Sequence, residues 1–246
     1  MSDKALVKPI PIWSSFVLFG IPTIIFFMVG YIFIPYLSKQ LGILLILSWF
    51  ISGGLLIFLP LFIASIVAYR LEGNPLTYSE FKNRFRLAPI TGKDWIWTIG
   101  TLLSVSVLIG LIIVVSNWLA NSTELFSPIE ISPPFIKYEG LQEGQNWILI
   151  VWLPFFFFNI FGEELFWHGY ILPRQELSHG KWAWMVNGLF WTMFHSVFGL
   201  SMVVVFLPLL FCIPYVVQKR KNTWIGIILH GFINGLGFLL ISFKLL

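Results

Sequence analysis

Long apolar runs, separated by short polar connections, dominate the chain. Each run has about the 20 residues that a helix needs to cross a hydrocarbon core of roughly 30 Å. The runs are continuous and lack the alternation of barrel strands. The pattern therefore predicts an all-α polytopic membrane protein with about seven transmembrane helices. The predicted spans are 13–35, 41–69, 95–119, 147–172, 182–198, 200–217 and 224–243.

The composition supports this interpretation and excludes a water-soluble globular protein. Only 11% of the 246 residues are charged and 58% are hydrophobic, whereas soluble domains have roughly 25% charged residues. The mean hydropathy is +0.88. Apolar side chains must therefore cover the outside, so the lipid bilayer is the expected partner, and nucleic-acid binding is excluded. No internal repeat is visible, which favours a single transmembrane domain over residues 1–246.

Basic residues predict the orientation, because cytoplasmic loops are enriched in Lys and Arg. With seven spans, the basic connections fall on one side and the acidic loop 120–146 falls on the other. We therefore expect a cytoplasmic N-terminus. Residues 182–217 form either two short helices or one long helix, and one long helix would reverse the last span. The basic loop 70–94 forms either an amphipathic helix on anionic headgroups or a solvated connection.

Few polar side chains interrupt the spans in the second half of the chain. A charged group there costs about 2.5–3.5 kcal/mol on insertion scales, so those that remain are functional candidates. Successive residues of a helix lie about 100° apart, so neighbouring glutamates point in different directions. Residues four apart share a helix face. The candidates are Glu163, Glu164, His168, His195, His230 and Asn234.

These residue types permit two kinds of hydrolytic chemistry. A buried carboxylate can act as a general base toward water, while His230 and Asn234 bind the oxyanion of a tetrahedral intermediate. Alternatively, Glu163, His195 and His230 hold a divalent metal such as zinc, with water in the fourth position. The HExxH motif does not occur in the sequence, so three helices would have to supply these ligands. The structural alternative is that the polar groups only bond across helices.

Three short motifs occur in order between about residues 159 and 238. Glu163–His168 resembles EExxxR and Trp191–His195 resembles FxxxH, each with one exchange, and His230–Asn234 matches HxxxN in full. Their order, spacing and apolar setting resemble the CAAX protease and bacteriocin-processing family of intramembrane proteases. The family-like catalytic core lies at about 147–243, whereas the N-terminal helices, about 13–119, match only in being hydrophobic.

This resemblance implies an endopeptidase that hydrolyses peptide bonds of a peptide or membrane-protein substrate. It implies that Glu163 activates water together with His195 and that Glu164 has a supporting role. His230 and Asn234 correspond to the oxyanion-binding pair. A glutamate mechanism and a metal-assisted mechanism both remain open. We expect an integral protein of a bacterial cytoplasmic membrane.

Two residues depart from the family pattern. His168 stands where the family has Arg, and Trp191 stands where it has Phe. Histidine titrates near pH 6.5, whereas arginine is permanently charged. Either protonated His168 pairs with a glutamate, or Arg174 takes over the role of the family arginine. His168, Arg174 and Trp191 are therefore expected to support the site.

These departures permit a second interpretation, in which the protein is a non-catalytic membrane scaffold or regulator derived from the family. A third interpretation is a proton-coupled transporter in which Glu163 and Glu164 relay protons. The lack of internal repeats counts against a transporter.

Overall fold

The computed structural model describes residues 7–123 and 127–245, most of which are helical and none of which forms a strand. The prediction of an all-α polytopic membrane protein is confirmed. The helices are α1 Ile12–Leu41, α2 Leu45–Leu71, α3 Tyr78–Arg84, α4 Gly92–Ser122, α5 Ile148–Glu163, α6 Leu172–His179, α7 Ala183–His195, α8 Gly199–Arg220 and α9 Thr223–Ser242.

Among the described residues, five helical runs are long and apolar enough to cross a membrane. One of them, Ile148–Arg220, has 73 residues and contains α5 to α8. The backbone turns within this run at Gly180 and Gly199, where φ is 56° and 82°, values that glycine adopts without strain. Residues 182–217 are therefore divided into two helices, α7 and α8. The number of seven transmembrane helices stays a prediction.

Helix α4 illustrates why the outside of the bundle is apolar. Its 31 residues begin with a capping box between Thr91 and Asp94, which satisfies two backbone N–H groups at the helix start. It packs against α8 and α9 at the edge of the bundle. Large side chains such as Ile96 and Val114 are 72% and 65% exposed, which suits a lipid solvent and not water.

A π-helical segment, Glu164–Ile171, follows α5 directly and lies at the centre of the bundle. All eight of its residues are buried. It contacts α2 and α9, while α7 packs between α1 and α8. π-Helical segments inside α-helices are frequent at functional sites. The first predicted motif, which begins at Glu163, therefore lies where several helices meet.

Aromatic packing surrounds this central segment. Trp167 is fully buried and stacks on Phe19 of α1 with ring centroids 4.0 Å apart. Gly162 lies directly against the carbonyl of Phe58 in α2, where a Cβ atom would come within 2.5 Å of the oxygen. The absence of a side chain at Gly162 thus allows α2 and α5 to pack closely, as small residues do in membrane helix pairs.

The basic loop 70–94 folds back onto the ends of the helices. Phe85, just after α3, is buried, and its carbonyl accepts a 2.6 Å hydrogen bond from Thr223 Oγ1. Arg84 Nε lies 2.7 Å from a Glu72 oxygen, and Arg86 Nη1 lies 2.7 Å from a Glu176 oxygen. These two arginines are thus paired within the protein, and the loop contains the short helix α3. Contact of this loop with headgroups stays a prediction.

Glu72 joins this loop to α6, because Arg174 also donates to it, at 3.0 Å. Burial alone would raise the pKa of Glu72, but the hydrogen bonds and charges of Arg84 and Arg174 lower it below its usual value. A carboxyl group with a lowered pKa stabilises the fold above its unfolded pKa, and that contribution is lost as the pH falls through the folded pKa.

We expect Glu72→Gln to lower the thermal unfolding temperature at pH 7, because two guanidinium groups lose their anion. Hydrogen bonds to charged groups contribute about 1.5–3 kcal/mol each in favourable cases. The difference between wild type and variant should shrink as the pH falls toward 3. Unfolding of the detergent-solubilised protein measures both effects. Glu143→Gln, at an exposed glutamate, is the control, and equal melting of wild type and Glu72→Gln at pH 7 would contradict the role of this cluster.

Candidate active site

Glu163 is held by two neutral donors on different helices. Asn159 Nδ2, one turn earlier in α5, donates to Oε1 at 2.9 Å, and Trp191 Nε1 of α7 donates to Oε2 at 2.7 Å. The residue is only 2% exposed. Each carboxylate oxygen keeps further acceptor capacity, so the group remains able to accept a proton from a third partner.

Glu164 points in a different direction, toward two histidines. His168 Nδ1 lies 2.7 Å from its Oε2, and His230 Nδ1 of α9 lies 3.0 Å from its Oε1. Glu164 is fully buried, and His230 is 1% exposed. The two adjacent glutamates therefore have separate sets of partners, as expected from their angular separation on a helix.

A chain of hydrogen bonds connects the two carboxylates. Asn234 Nδ2 donates to His230 Nε2 at 2.9 Å and to Asn159 Oδ1 at 3.3 Å. Because His230 Nε2 accepts a hydrogen bond, its Nδ1 carries the proton that is donated to Glu164. The chain therefore runs from Glu164 through His230, Asn234 and Asn159 to Glu163. Both amide hydrogens of Asn234 are engaged in this arrangement.

His195 lies at the end of α7. Its Nδ1 donates to the Trp191 carbonyl at 2.9 Å, which leaves the lone pair of the neutral ring on Nε2. The ring is 7% exposed, so this side chain is nearly closed off from the outside, like both glutamates and His230. A histidine with this tautomer has the free basic nitrogen that proton transfer requires.

Trp191 lies among the three buried histidines of the site. Its ring centroid is 4.7 Å from that of His168, 5.3 Å from that of His195 and 5.4 Å from that of His230. The sequence suggested a simple aromatic exchange at this position. In the structure Trp191 also has a polar role, because its indole N–H donates a hydrogen bond to Glu163, and a phenylalanine has no such donor.

His168, and not Arg174, is the residue that reaches the carboxylates. The Arg174 guanidinium instead binds Glu72, the Tyr170 hydroxyl and the Lys8 carbonyl. The alternative in which Arg174 takes over the arginine role is therefore not supported. Arg174 lies beyond the π-helical segment, and the carboxylate with which it pairs is that of Glu72.

Residues 145–236 match the family model described as type II CAAX prenyl endopeptidase Rce1-like. The match confirms the family resemblance. It covers a little over a third of the chain, which we call the Rce1-like segment, and it includes every side chain of the hydrogen-bond chain described above. No curated protein and no solved structure matches the chain.

Sequence reasoning missed several buried polar residues of the Rce1-like segment. Asn159 bridges Glu163 and Asn234. Asn187 of α7 donates to the Trp167 carbonyl at 3.1 Å and to Gln175 Oε1 at 2.9 Å. Asn187 thereby braces the π-helical segment against α7. A spacing of four was the available signal, since Asn159 precedes Glu163, and Asn187 precedes Trp191, by one helical turn.

The donor atoms do not fit a three-ligand metal site in their present arrangement. Among residues 7–123 and 127–245, no group of three or more His, Cys, Asp or Glu side chains is placed to hold a metal ion. Both ring nitrogens of His230 already have partners. The ligation of a metal by Glu163, His195 and His230 stays a prediction.

Gly226 of α9 provides a test of the Glu164 position. A Cβ atom there would collide with Glu164 Oε2 and lie 3.1 Å from its Cδ. We expect Gly226→Ala to displace the carboxylate from its histidines and to cost about 1–3 kcal/mol of stability, as overpacking does.

The matched control is Gly237→Ala in the same helix, because nothing lies within 4 Å of a Cβ atom there. Alanine favours a helix over glycine by up to about 1 kcal/mol, so this variant should melt at or above the wild-type temperature. A Gly226→Ala variant that melts like Gly237→Ala would show that Glu164 is not held where we place it.

Proposed function

We propose that this protein is an intramembrane endopeptidase that hydrolyses a peptide bond with water activated by Glu163 and His195. The observation that carries the proposal is the hydrogen-bond chain between two buried carboxylates, which joins residues of the first and third motifs through Asn159. Trp191 of the second motif donates to Glu163 at one end of this chain. The hydrogen-bond chain lies in the segment that matches the Rce1-like family. A purely structural role would require only that each polar group find one partner across a helix interface.

Glu163 is the base in this proposal. Its partners Asn159 and Trp191 fix the carboxylate by N–H donation and leave acceptor capacity for a water molecule. The water oxygen attacks the carbonyl carbon while its proton passes to Glu163. The carbon–nitrogen bond then breaks, and Glu163 returns that proton to the leaving amine.

His195 orients the attacking water. Its Nδ1 is fixed on the Trp191 carbonyl, so the Nε2 lone pair accepts a hydrogen bond from water. Trp191 binds both Glu163 and His195, through its indole and its carbonyl respectively. One residue of α7 therefore sets the relative position of the base and the histidine, which is the kind of preorganisation that catalysis rewards.

Glu164 supports the second half of the site. It holds His230 by Nδ1, and the proposed ligands of the oxyanion that forms when water attacks are Asn234 and His230. Asn234 donates an amide N–H, whereas His230 can donate from Nε2 only as the imidazolium, in which both ring nitrogens carry a proton. In the structure, Asn234 donates its two amide hydrogens to His230 and Asn159. Substrate binding therefore has to exchange at least one of these bonds for a bond to the substrate oxygen.

The substrate in this proposal is a peptide or a membrane-associated protein, in keeping with the description of the matched family. The chain lies in a cellular membrane with its N-terminus in the cytoplasm, as the distribution of Lys and Arg predicts. The bacterial cytoplasmic membrane remains our proposal for that membrane.

We expect Glu163→Gln to reduce peptide cleavage by about 10²–10⁴-fold, the usual contribution of a general base. The variant should still fold, because a glutamine oxygen can accept one of the two N–H bonds. Purified wild-type protein and variant, incubated with a peptide library, give the readout as products in mass spectra.

His179→Gln is the control, because His179 lies at the end of α6, away from the hydrogen-bond chain. This variant should cleave the peptides as the wild type does. Cleavage that survives Glu163→Gln unchanged would overturn the proposed base. If wild-type protein cleaves nothing while it binds other membrane proteins, the scaffold interpretation is favoured over the protease.

A further inference from the structure

A groove opens on the outside of the bundle, between α1 and α2. Two adjoining cavities of about 230 and 540 Å³ form it, and they share four lining residues. The shared residues are Val17, Leu18, Ala64 and Phe166. Phe166 belongs to the π-helical segment, so the floor of the groove is the opposite side of the helical turn that carries Glu164.

The groove has an apolar end and a polar end. Ile25 and Leu56 line the apolar end, deep within two runs of membrane-spanning length. Trp13 and Arg174 line the other end, and Trp13 is 68% exposed. Tryptophan is enriched at the level of the lipid headgroups, so the groove extends from the headgroup region toward the bilayer interior.

The lining suits a hydrocarbon chain. Apart from Ser14 and Arg174 at the polar end, it consists of apolar and aromatic side chains. A peptide backbone would find few partners for its N–H and C=O groups there, and unsatisfied groups in hydrocarbon cost several kcal/mol each. An acyl chain has no polar backbone to leave unpaired, and it restores the dispersion contacts that an empty groove forfeits.

The charges at the polar end favour an anionic headgroup. Glu72 carries one negative charge, but it lies between Arg84 and Arg174. The backbone carbonyl of Lys8 accepts a hydrogen bond from Arg174, and Lys8 is exposed, so a further positively charged residue lies beside this end of the groove. The cluster is therefore net positive where a phosphate group would lie.

We propose that the groove between α1 and α2 binds one acyl chain of an anionic phospholipid, with its phosphate at Lys8 and Arg174. This inference does not rest on the proposed protease activity. It adds a lipid site that shares Phe166 with the turn that carries Glu164.

The test uses the purified full chain, freed of lipid and incubated with phosphatidylglycerol or phosphatidylcholine of identical acyl chains. Native mass spectrometry counts the lipid retained by each protein. We expect about five-fold higher retention of phosphatidylglycerol, because one basic side chain near an anionic lipid gives a preference of roughly that size. Equal retention of the two lipids would overturn the headgroup assignment.

Two pairs of variants test the binding of the acyl chain and the binding of the headgroup independently. Ala64→Phe fills the groove and should abolish retention of both lipids, whereas Ile63→Phe, at the 48% exposed neighbouring residue, should leave it unchanged. Lys8→Gln should reduce retention of phosphatidylglycerol alone, and Lys137→Gln, at an exposed lysine, should not. Undiminished retention in Ala64→Phe would overturn the placement of the chain.

Melting curves check that each variant is folded, and Ala68→Leu, which also narrows the groove, replaces Ala64→Phe if that variant unfolds. A lipidated peptide serves as competitor. If it displaces phosphatidylglycerol and Ala64→Phe abolishes its retention as well, the groove is a substrate site and the phospholipid proposal is overturned.

Discussion

Two adjacent carboxylates are buried at the centre of a membrane protein, and the surrounding structure is arranged to satisfy them. A buried polar group without a partner is costly, and a buried charge more so. Glu163 and Glu164 therefore need donors, yet their own helix supplies only Asn159 and His168. The remaining donors come from α7 and α9. The packing of α7 and α9 around α5 and the π-helical segment meets that requirement.

The need to satisfy the two carboxylates also explains residues that have no proposed role in catalysis. Gly226 leaves room for the Glu164 carboxylate, and Gly162 lets α2 approach α5. Asn187 holds the Trp167 carbonyl within the π-helical segment. These contacts fix the turn between Glu163 and His168 from several sides, which is the condition for a preorganised site. The site and the fold thus depend on the same contacts.

Much of the fold was predictable from the sequence, because the length and continuity of the apolar runs indicate a lipid solvent. Pairs four apart, such as Glu164 with His168 and His230 with Asn234, were predictable for the same geometric reason. The bond from Trp191 to Glu163 was not, because it joins two helices whose relative rotation depends on the whole bundle. The separation of Arg174 from the carboxylates, and its pairing with Glu72, likewise required the tertiary structure.

The central claim is that water, activated at Glu163, attacks the peptide bond directly, without a covalent intermediate. The most direct measurement is a single turnover in ¹⁸O-labelled water with hydroxylamine present, followed by mass spectrometry of the new carboxyl terminus. Direct attack predicts one ¹⁸O atom in the product and no hydroxamate. A hydroxamate product would reveal an acyl-enzyme and contradict the proposed role of Glu163.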